Sequence, residues 1–309
     1  MLARAARPAF TALAAASLPA VRTAGFHSSG AQLATLRELE QRVKSVRNIE
    51  KITKSMKMIA ATKLNKAQRA MAAAKAYGEA NNEVFKNSEA VAPEGGRELF
   101  IVVSSDKGLC GGIHSSVSKR AKIEFAKVSP SAGDAHSSDG PSIVVLGDKP
   151  KAQLGRAMPN NLALSFNQIG KDVPTFSDAA AIADLIFKSG LEFDKISIIY
   201  NAYISAIAFE SHIMEAYSEQ ALRNAPSFAA YEQEEDTTKD LAEFSLANAI
   251  FAALVEGHAS EINSRRNAMD NASKNAGEMI QKLSMEYNRG RQAAITNELV
   301  DIVTGASAV

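Results

Sequence analysis

The sequence predicts a mixed α+β and α/β protein, in which a long antiparallel coiled coil of the N- and C-terminal helices carries a central α/β domain. Three observations predict this arrangement. Residues 34–92 and 240–309 are two long runs without proline, and apolar residues recur in both at helical spacing. Between them, residues 97–226 alternate strand and helix patterns. Helices of this length need a partner helix, and each run is the only one in the chain that can cover the other.

Residues 1–33 have the composition of a mitochondrial transit peptide, because they contain no acid; the first acid in the chain is Glu38. Their only charges are three arginines, Arg4, Arg7 and Arg22. A secretory signal is the alternative, since residues 9–20 form a modest apolar run. Arginine recurs beyond that run, and the remaining chain lacks the paired cysteines common in secreted domains, so mitochondrial import is favoured.

The N-terminal helix is predicted over residues 34–92, with Thr35 as N-cap and Glu38 completing a capping box. Its length would be roughly 80 Å. The apolar positions step by threes and fours and are expected to form one stripe: Leu36, Leu39, Val43, Val46, Ile49, Ile52, Met56 and Ile59.

Charge on this helix is strongly one-sided. Between Gln41 and Tyr77 there are ten lysines or arginines and one acid, Glu50. A solvated face is the simplest interpretation, but an imbalance of this size favours an acidic partner. Nucleic acid is disfavoured because no aromatic residues interleave the charges and no DNA-binding helix motif is evident. An acidic protein surface is therefore the predicted partner.

Residues 97–226 predict a Rossmann-like α/β domain with a mostly parallel sheet. Helices are expected at 113–128 and 175–188, and residues 129–142 form a Ser-, Gly- and Pro-rich loop. Strands are expected at 99–103, 143–146, 162–166, 195–200 and 206–216.

The loop at residues 104–112 follows a strand and precedes a helix, a position where phosphate is often bound. It matches neither the P-loop nor the dinucleotide-binding pattern, because Lys107 precedes the glycines. The glycines are explained as well by a tight strand-to-helix turn. Cys110 is the only cysteine, and neither metal-ligand spacing nor a Ser/His/Asp constellation is found. No cofactor, metal or catalytic residue is predicted.

The C-terminal helix, residues 240–309, is too frequently interrupted by charge to span a membrane. It ends in an apolar tip that is expected to project beyond the shorter N-terminal helix and to need cover from another protein. Its predicted stripe is Leu246, Ile250, Leu254, Met269, Ala272, Ala276, Met279, Leu283, Tyr287, Ile295, Leu299 and Ile302.

Three segments resemble the gamma subunits of the mitochondrial rotary ATP synthase. They are residues 49–56 (IEKITKSM), 104–111 (SSDKGLCG), and 265–276 (RRNAMDNASKNA) together with 291–299 (RQAAITNEL). The third is highly specific, and the similarity extends from about Ala34 to the C-terminus, apart from the loop at residues 129–142. Chloroplast members carry an inserted cysteine pair as a redox switch, whereas Cys110 is alone here, so thiol regulation of that kind is not expected.

The resemblance implies a non-catalytic rotor. In this family the coiled coil lies inside a hexamer of alpha and beta subunits, and the α/β domain sits below it with the delta and epsilon subunits on the c-ring. Rotation of the c-ring then cycles the catalytic beta subunits. The resemblance also implies a peripheral protein on the matrix side of the mitochondrial inner membrane, without a transmembrane segment and without a nucleic-acid partner.

The resemblance further implies partner-binding residues. Arg291 and Gln292 match a catch pair that bonds a beta loop, and residues 295–303 match an axle end inside an apolar sleeve. Met56 matches a residue beside the arginine-rich C-terminal segment. Six lysines match positions that meet acidic beta loops, three on the helix and three near the top of the domain: Lys51, Lys54, Lys57, Lys107, Lys119 and Lys122.

Two other classes of function stay open from the residues alone. A nucleotide-binding enzyme would rest on the loop at 108–112. A coiled-coil tether or scaffold, or a rod that binds nucleic acid, would rest on the basic face of the N-terminal helix.

Overall fold

The structure is a computed structural model and describes residues 35–88, 96–128, 140–228, 231 and 236–307. The predicted transit peptide at residues 1–33 and most of the predicted loop at 129–142 lie outside the described residues.

Eleven elements follow one another along the described chain. The helices are α1 (Leu36–Ser88), α2 (Ile113–Val128), α3 (Asp148–Ala157), α4 (Phe176–Lys188), α5 (Glu219–Arg223) and α6 (Thr238–Ser307). The strands are β1 (Glu98–Val103), β2 (Ser142–Leu146), β3 (Leu162–Phe166), β4 (Lys195–Tyr203) and β5 (Phe209–Tyr217).

Helices α1 and α6 pack against each other as an antiparallel rod. Leu36 at the start of α1 meets Gly290 near the end of α6, and Gly78 near the end of α1 meets Ala252. Between these points the Nζ of Lys57 lies 2.7 Å from Oδ1 of Asp270. The capping box at the start of α1 is present, since Glu38 accepts from the Thr35 N–H at 3.0 Å and Thr35 accepts from the Glu38 N–H at 3.4 Å. The predicted coiled coil is confirmed.

The predicted apolar stripe of α1 is wrong at three positions beyond Val46, whereas Met56 is half-buried. Ile49, Ile52 and Ile59 are 51, 58 and 56% exposed. Two successive steps of three residues turn a stripe by about 120° around a helix, which carries these side chains away from α6. The buried and half-buried positions alternate steps of three and four, the spacing of a coiled coil: Val43, Val46, Glu50, Thr53, Lys57, Ala60, Leu64 and Ala67.

Helix α6 belongs to both the rod and the domain, which the single predicted stripe did not separate. Leu246, Ile250 and Leu254 are buried in the core between the sheet and α4, whereas Ile262 packs against α1. Met279, also in the predicted stripe, is 50% exposed. The apolar face of one helix therefore changes partner along its length.

The domain holds one five-stranded sheet in the order β3-β2-β1-β4-β5. Strands β1 to β4 are parallel, and β5 pairs antiparallel with β4, which confirms the mostly parallel sheet. One face packs on α4 and α6, and the other on α2 and α3. All five predicted strands and both predicted helices are present; α3 and α5 were not predicted.

The carboxyl ends of the parallel strands and the loops that follow them lie against α6. The glycine-bearing loop after β1 (residues 104–112), the loop after β3 (residues 167–175) and the turn between β4 and β5 all contact residues 256–267 of this helix. The domain is thereby attached to the rod at this edge of the sheet.

Candidate partner-binding surfaces

The predicted lysines of α1 differ in their surroundings. Lys51 is exposed, and Lys54 is exposed with its Nζ 2.7 Å from Oε1 of Glu50. Lys57 is bonded across the rod to Asp270, with side chains 45 and 32% exposed. Exposed pairs of this kind contribute little to stability, so Lys51 and Lys54 can be drawn to an acidic partner at small cost.

Met56 is half-buried beside Lys57 and therefore lies at the level of Asp270. Arg265 and Arg266 lie about one helical turn closer to the α/β domain on α6. The resemblance expects Met56 beside these arginines, and the helix pairing brings it to within about one turn of them.

The three lysines predicted near the top of the domain lie on two elements. Lys107 is exposed on the loop after β1, and its Nζ donates to the Lys171 carbonyl at 3.2 Å. Lys119 and Lys122 are exposed on the outer face of α2, whose other face packs on the sheet. They lie about 9 and 14 Å along α2 from its start, towards the opposite edge of the sheet.

The last part of α6 extends past the start of α1. Gly290 is level with Leu36, and Arg291 and Gln292, which follow it, are both exposed. Beyond them, five large apolar side chains are 49–66% exposed: Ile295, Leu299, Val300, Ile302 and Val303. Within the described residues this tip is a free apolar surface on a single helix.

The loop at residues 104–112 is closed by α6 of the same chain. The Ser264 hydroxyl donates to the Cys110 carbonyl at 2.6 Å, and Arg265 Nη2 donates to the Gly108 carbonyl at 3.5 Å. Leu109 and Gly111 adopt positive φ of 63° and 67°, as in the tight strand-to-helix turn that was the alternative to a phosphate site. The space where such a fold would hold a phosphate is filled by a helix of the same chain.

Cys110 and His114 form a buried neutral pair. Sγ lies 3.0 Å from Nε2 of His114, whose Nδ1 lies 2.7 Å from the Ser104 hydroxyl. Burial raises the pKa of Cys110 to about 11 and lowers the pKa of His114. A protonated thiol is a poor nucleophile and a poor metal ligand, so this pair is structural.

A cluster on α6 was not predicted from the sequence. Glu261 and Arg265 form a salt bridge with side chains only 4 and 15% exposed. Asn263 donates to the Ser205 carbonyl at 3.1 Å and Asn267 to the Ala206 carbonyl at 2.8 Å. The only local signal was an acid four residues before an arginine, which is equally common on exposed helices.

Two features of the described residues bear on the class of site. No group of three or more acidic, histidine or cysteine side chains is placed to hold a metal ion. Among the same residues, none of the helices combines the length and the apolar character that crossing a bilayer requires.

Known proteins share both the sequence and the fold. A family model described as ATP synthase matches residues 35–309. The chain is 53% identical over 300 residues to the ATP synthase subunit gamma, mitochondrial, of Yarrowia lipolytica, covering 96% of this chain and 99% of that protein. It is 41% identical over 278 residues to the ATP synthase F(1) complex subunit gamma, mitochondrial, of Rattus norvegicus, covering 89% of this chain and all of that protein (100%).

Solved structures of mitochondrial ATP synthases contain chains that are similar to this one. A chain from the central stalk and c-ring of the Tetrahymena thermophila mitochondrial ATP synthase is 28% identical, with a TM-score of 0.57 over 72% of this chain and 99% of that one. A chain from the Euglena gracilis mitochondrial ATP synthase is 18% identical and shares the fold, with a TM-score of 0.73 over 89% of this chain and 94% of that one. The family match and the relatives together show that the chain belongs to the mitochondrial ATP synthase gamma subunits.

Proposed function

We propose that this chain is the central rotor shaft of a mitochondrial ATP synthase. It couples proton-driven rotation of the c-ring to the conformational cycle of the catalytic beta subunits. The observation that carries the proposal is the rod itself: a 70-residue helix that overhangs its 53-residue partner and ends in an exposed apolar tip. Family membership makes the chain a component of an enzyme complex, and the chemistry is assigned here to the beta subunits.

An uneven distribution of charge around the rod lets it act differently on each of the subunits that surround it. One flank of α1 carries the exposed Lys51 and Lys54, whereas the exposed face of α6 carries acids such as Glu278 and Glu286. A partner can shift a conformational equilibrium only by binding one state better than another. As the rod turns, each surrounding subunit meets a different face and is biased towards a different state.

Each exposed surface has an assigned partner in this proposal. The tip from Ile295 to Val303 turns inside an apolar sleeve at the top of the alpha and beta hexamer. Arg291 and Gln292 hydrogen-bond a beta loop at one rotor angle. The lysines named above meet acidic beta loops, and because all of them except Lys57 are exposed, this attraction is sensitive to salt.

The other end of the molecule is assigned to the base of the stalk. The amino ends of β1 and β4 and the start of α6 lie furthest from the tip. In this proposal they face the delta and epsilon subunits and the c-ring. The chain is then peripheral on the matrix side of the inner membrane.

Reconstitution tests the proposal. Residues 34–309 are expressed with the alpha and beta subunits of a related synthase, and the complex is purified by size. One copy per three alpha–beta pairs, with ATP hydrolysis restored, is the expected result. A well-folded chain that does not assemble would contradict the proposal and leave a coiled-coil tether or scaffold.

A second experiment tests the assignment of the catch pair. Because Arg291 and Gln292 are exposed, the double variant Arg291→Ala, Gln292→Ala is expected to leave the rod folded and to weaken coupling. ATP synthesis and hydrolysis are measured in the assembled complex. A matched control replaces an exposed glutamine and an exposed cation on the partnered part of α6, Gln281→Ala with Lys282→Ala. Rates equal to wild type in the catch-pair variant would remove this assignment.

A further inference from the structure

The carboxyl edge of the sheet is where an open α/β domain ordinarily binds its ligand, at the point where the strand order reverses. In this chain β1 is the first strand, with β2 on one side and β4 on the other. The crevice beyond β1 is occupied by residues 261–267 of α6, here named the joint segment. The same part of α6 contacts α1, since Ala259 and Ile262 pack on Ala60, Leu64 and Ala67.

The joint segment contacts three loops of the domain. Ser264 and Arg265 bond carbonyls of the loop after β1, and Asn263, Arg266 and Asn267 bond carbonyls of the turn between β4 and β5. The Glu261 carboxylate faces the loop after β3, where a Cβ on Gly170 would lie 2.9 Å from its Oε2. Loops from β1, β3 and β4 are therefore tied to two turns of one helix.

The ion pair at the centre of these contacts is unusual for its burial. Glu261 is 3% exposed, and the Arg265 side chain, which bonds both Glu261 and the Gly108 carbonyl, is 15% exposed. In the other ion pairs within one helix of the described chain, such as Lys188 with Asp184 or Arg120 with Glu124, the basic side chain is at least 43% exposed. A buried pair of this kind contributes little net stability compared with apolar side chains of the same size, but it accepts only one geometry.

We propose that Glu261 and Arg265 are positioning residues of a rigid joint, which fixes the angle between the rod and the α/β domain so that rotation of the domain turns the rod. The proposal rests on the proposed function for its consequence and on the contacts above for its geometry. Both bonds come from Nη2 of Arg265, whose N–H groups lie in the guanidinium plane, so a carboxylate and a backbone carbonyl together restrict the orientation of this side chain against the loop. Torque needs such a connection, since a joint that slips dissipates rotation.

The decisive variant replaces the pair by apolar side chains of similar length, Glu261→Met with Arg265→Met. Replacement of both members of a buried pair can keep or raise stability, whereas Glu261→Gln alone leaves a buried cation and is expected to lower the Tm by on the order of 10 °C. The double variant is therefore expected to recover the Tm while losing the fixed angle. Arg265→Lys is a second variant that keeps the charge but has no planar guanidinium to hold the carboxylate and the carbonyl in one plane.

The angle is measured on the full chain by spin labels at Ser177→Cys on α4 and Gln281→Cys on α6, both exposed positions. The distance distribution is expected to be narrow in the wild type and broader in the double variant, with Arg265→Lys between them. The matched control is Asp184→Met with Lys188→Met, an exposed pair of similar spacing on α4. The control is expected to leave the distribution unchanged.

The consequence is measured in the assembled, membrane-embedded complex as protons pumped per ATP hydrolysed. We expect the Met/Met variant to hydrolyse ATP and to lose pumping, and the control to lose neither. Unchanged distance widths, or full pumping in a Met/Met variant of normal Tm, would overturn the joint and leave the pair a packing feature. A wild-type chain that supports no coupling would instead remove the proposed function, while broadening in the isolated variant would still confirm the joint.

Discussion

His258 is a buried histidine held neutral at the junction of rod and domain. It is 8% exposed, and burial lowers its pKa to about 4. The nearby cations Lys107, Arg265 and Lys63 lower the pKa further, and Asp172 acts in the opposite direction. Its burial makes it part of the packing at this junction.

The free energy of unfolding is expected to depend on His258 in acid. The unfolded chain binds this proton near pH 6.5 and the folded chain only near pH 4, so stability is lost as the pH falls through this window. The loss is at most about 3 kcal/mol from this residue. His258→Leu should reduce the decrease measured by urea unfolding at pH 7 and pH 4.5. His212→Leu, at an exposed site, serves as the control, and equal pH dependence in both variants would contradict the expectation.

Two close neighbours and a positive φ both favour glycine at position 170. Its φ is +82°, and a Cβ would lie 2.8 Å from Cβ of Ser105 and 2.9 Å from the Glu261 carboxylate. Gly170→Ala is therefore expected to destabilise the chain by about 1–3 kcal/mol. Gly190→Ala separates the two causes, because φ is +71° there but no atom lies within 4 Å of the added methyl. Thermal unfolding of both variants measures the difference, and equal losses would show that strain alone acts at Gly170.

The helices of the rod are held in register by polar as well as apolar side chains. Glu50, Thr53 and Lys57 occupy consecutive buried or half-buried positions of α1, and Lys57 bonds Asp270. Polar residues at such positions reduce stability but specify one register. Because Lys57 is engaged with Asp270 within the chain, the exposed Lys51 is better placed to meet a partner.

A double-mutant cycle measures how strongly Lys57 is engaged with Asp270 within the chain. The coupling between Lys57→Ala and Asp270→Ala is expected to be small, as for other ion pairs that water reaches. In the assembled complex, Lys51→Ala should then reduce the salt dependence of head binding more than Lys57→Ala does. A larger effect from Lys57→Ala would show that this lysine leaves Asp270 for the partner.

Local pattern predicted most of the elements, and distant contacts decided the rest. The five strands were found because short apolar runs are bounded by turn residues, and α1 and α6 because long runs without proline repeat at helical spacing. Helix α3 was missed because it is short and begins at Asp148-Lys-Pro150, although proline is tolerated in a first turn. The predicted stripe left the true α1–α6 interface at Ile49, since spacing alone does not say which of two nearby faces meets the partner.

Some parts of the candidate surfaces could be predicted from local sequence, and others depend on distant contacts. Exposed lysines and the projecting tip could be found from the sequence because charge and apolar character are properties of a single segment. The joint segment could not, because Glu261 and the Gly108 carbonyl approach each other only after the whole domain has folded. Burial is what distinguishes this pair from exposed ones of similar spacing.

For the whole molecule, the overhang of α6 is expected to contribute to binding of the alpha–beta hexamer but little to the stability of the chain itself. Leu36 reaches only as far as Gly290, so removal of residues 297–309 deletes few contacts within the described chain. The Tm is expected to change by no more than about 2 °C. Binding to the alpha–beta hexamer, measured by size and by ATP hydrolysis, should weaken. A large fall in Tm would show that the tip packs on its own chain.

The antiparallel pairing of the first and last helices also sets an order of folding. Lys57 and Asp270, which bond each other, are 213 residues apart in sequence. Closing so long a loop is costly in entropy unless the intervening domain has already folded and brought its ends together. Helix α1 emerges first from the ribosome, or from an import channel, and cannot bury its apolar face until α6 has followed. The rod is therefore the last part of the chain to form, and its first helix is the segment that needs protection longest.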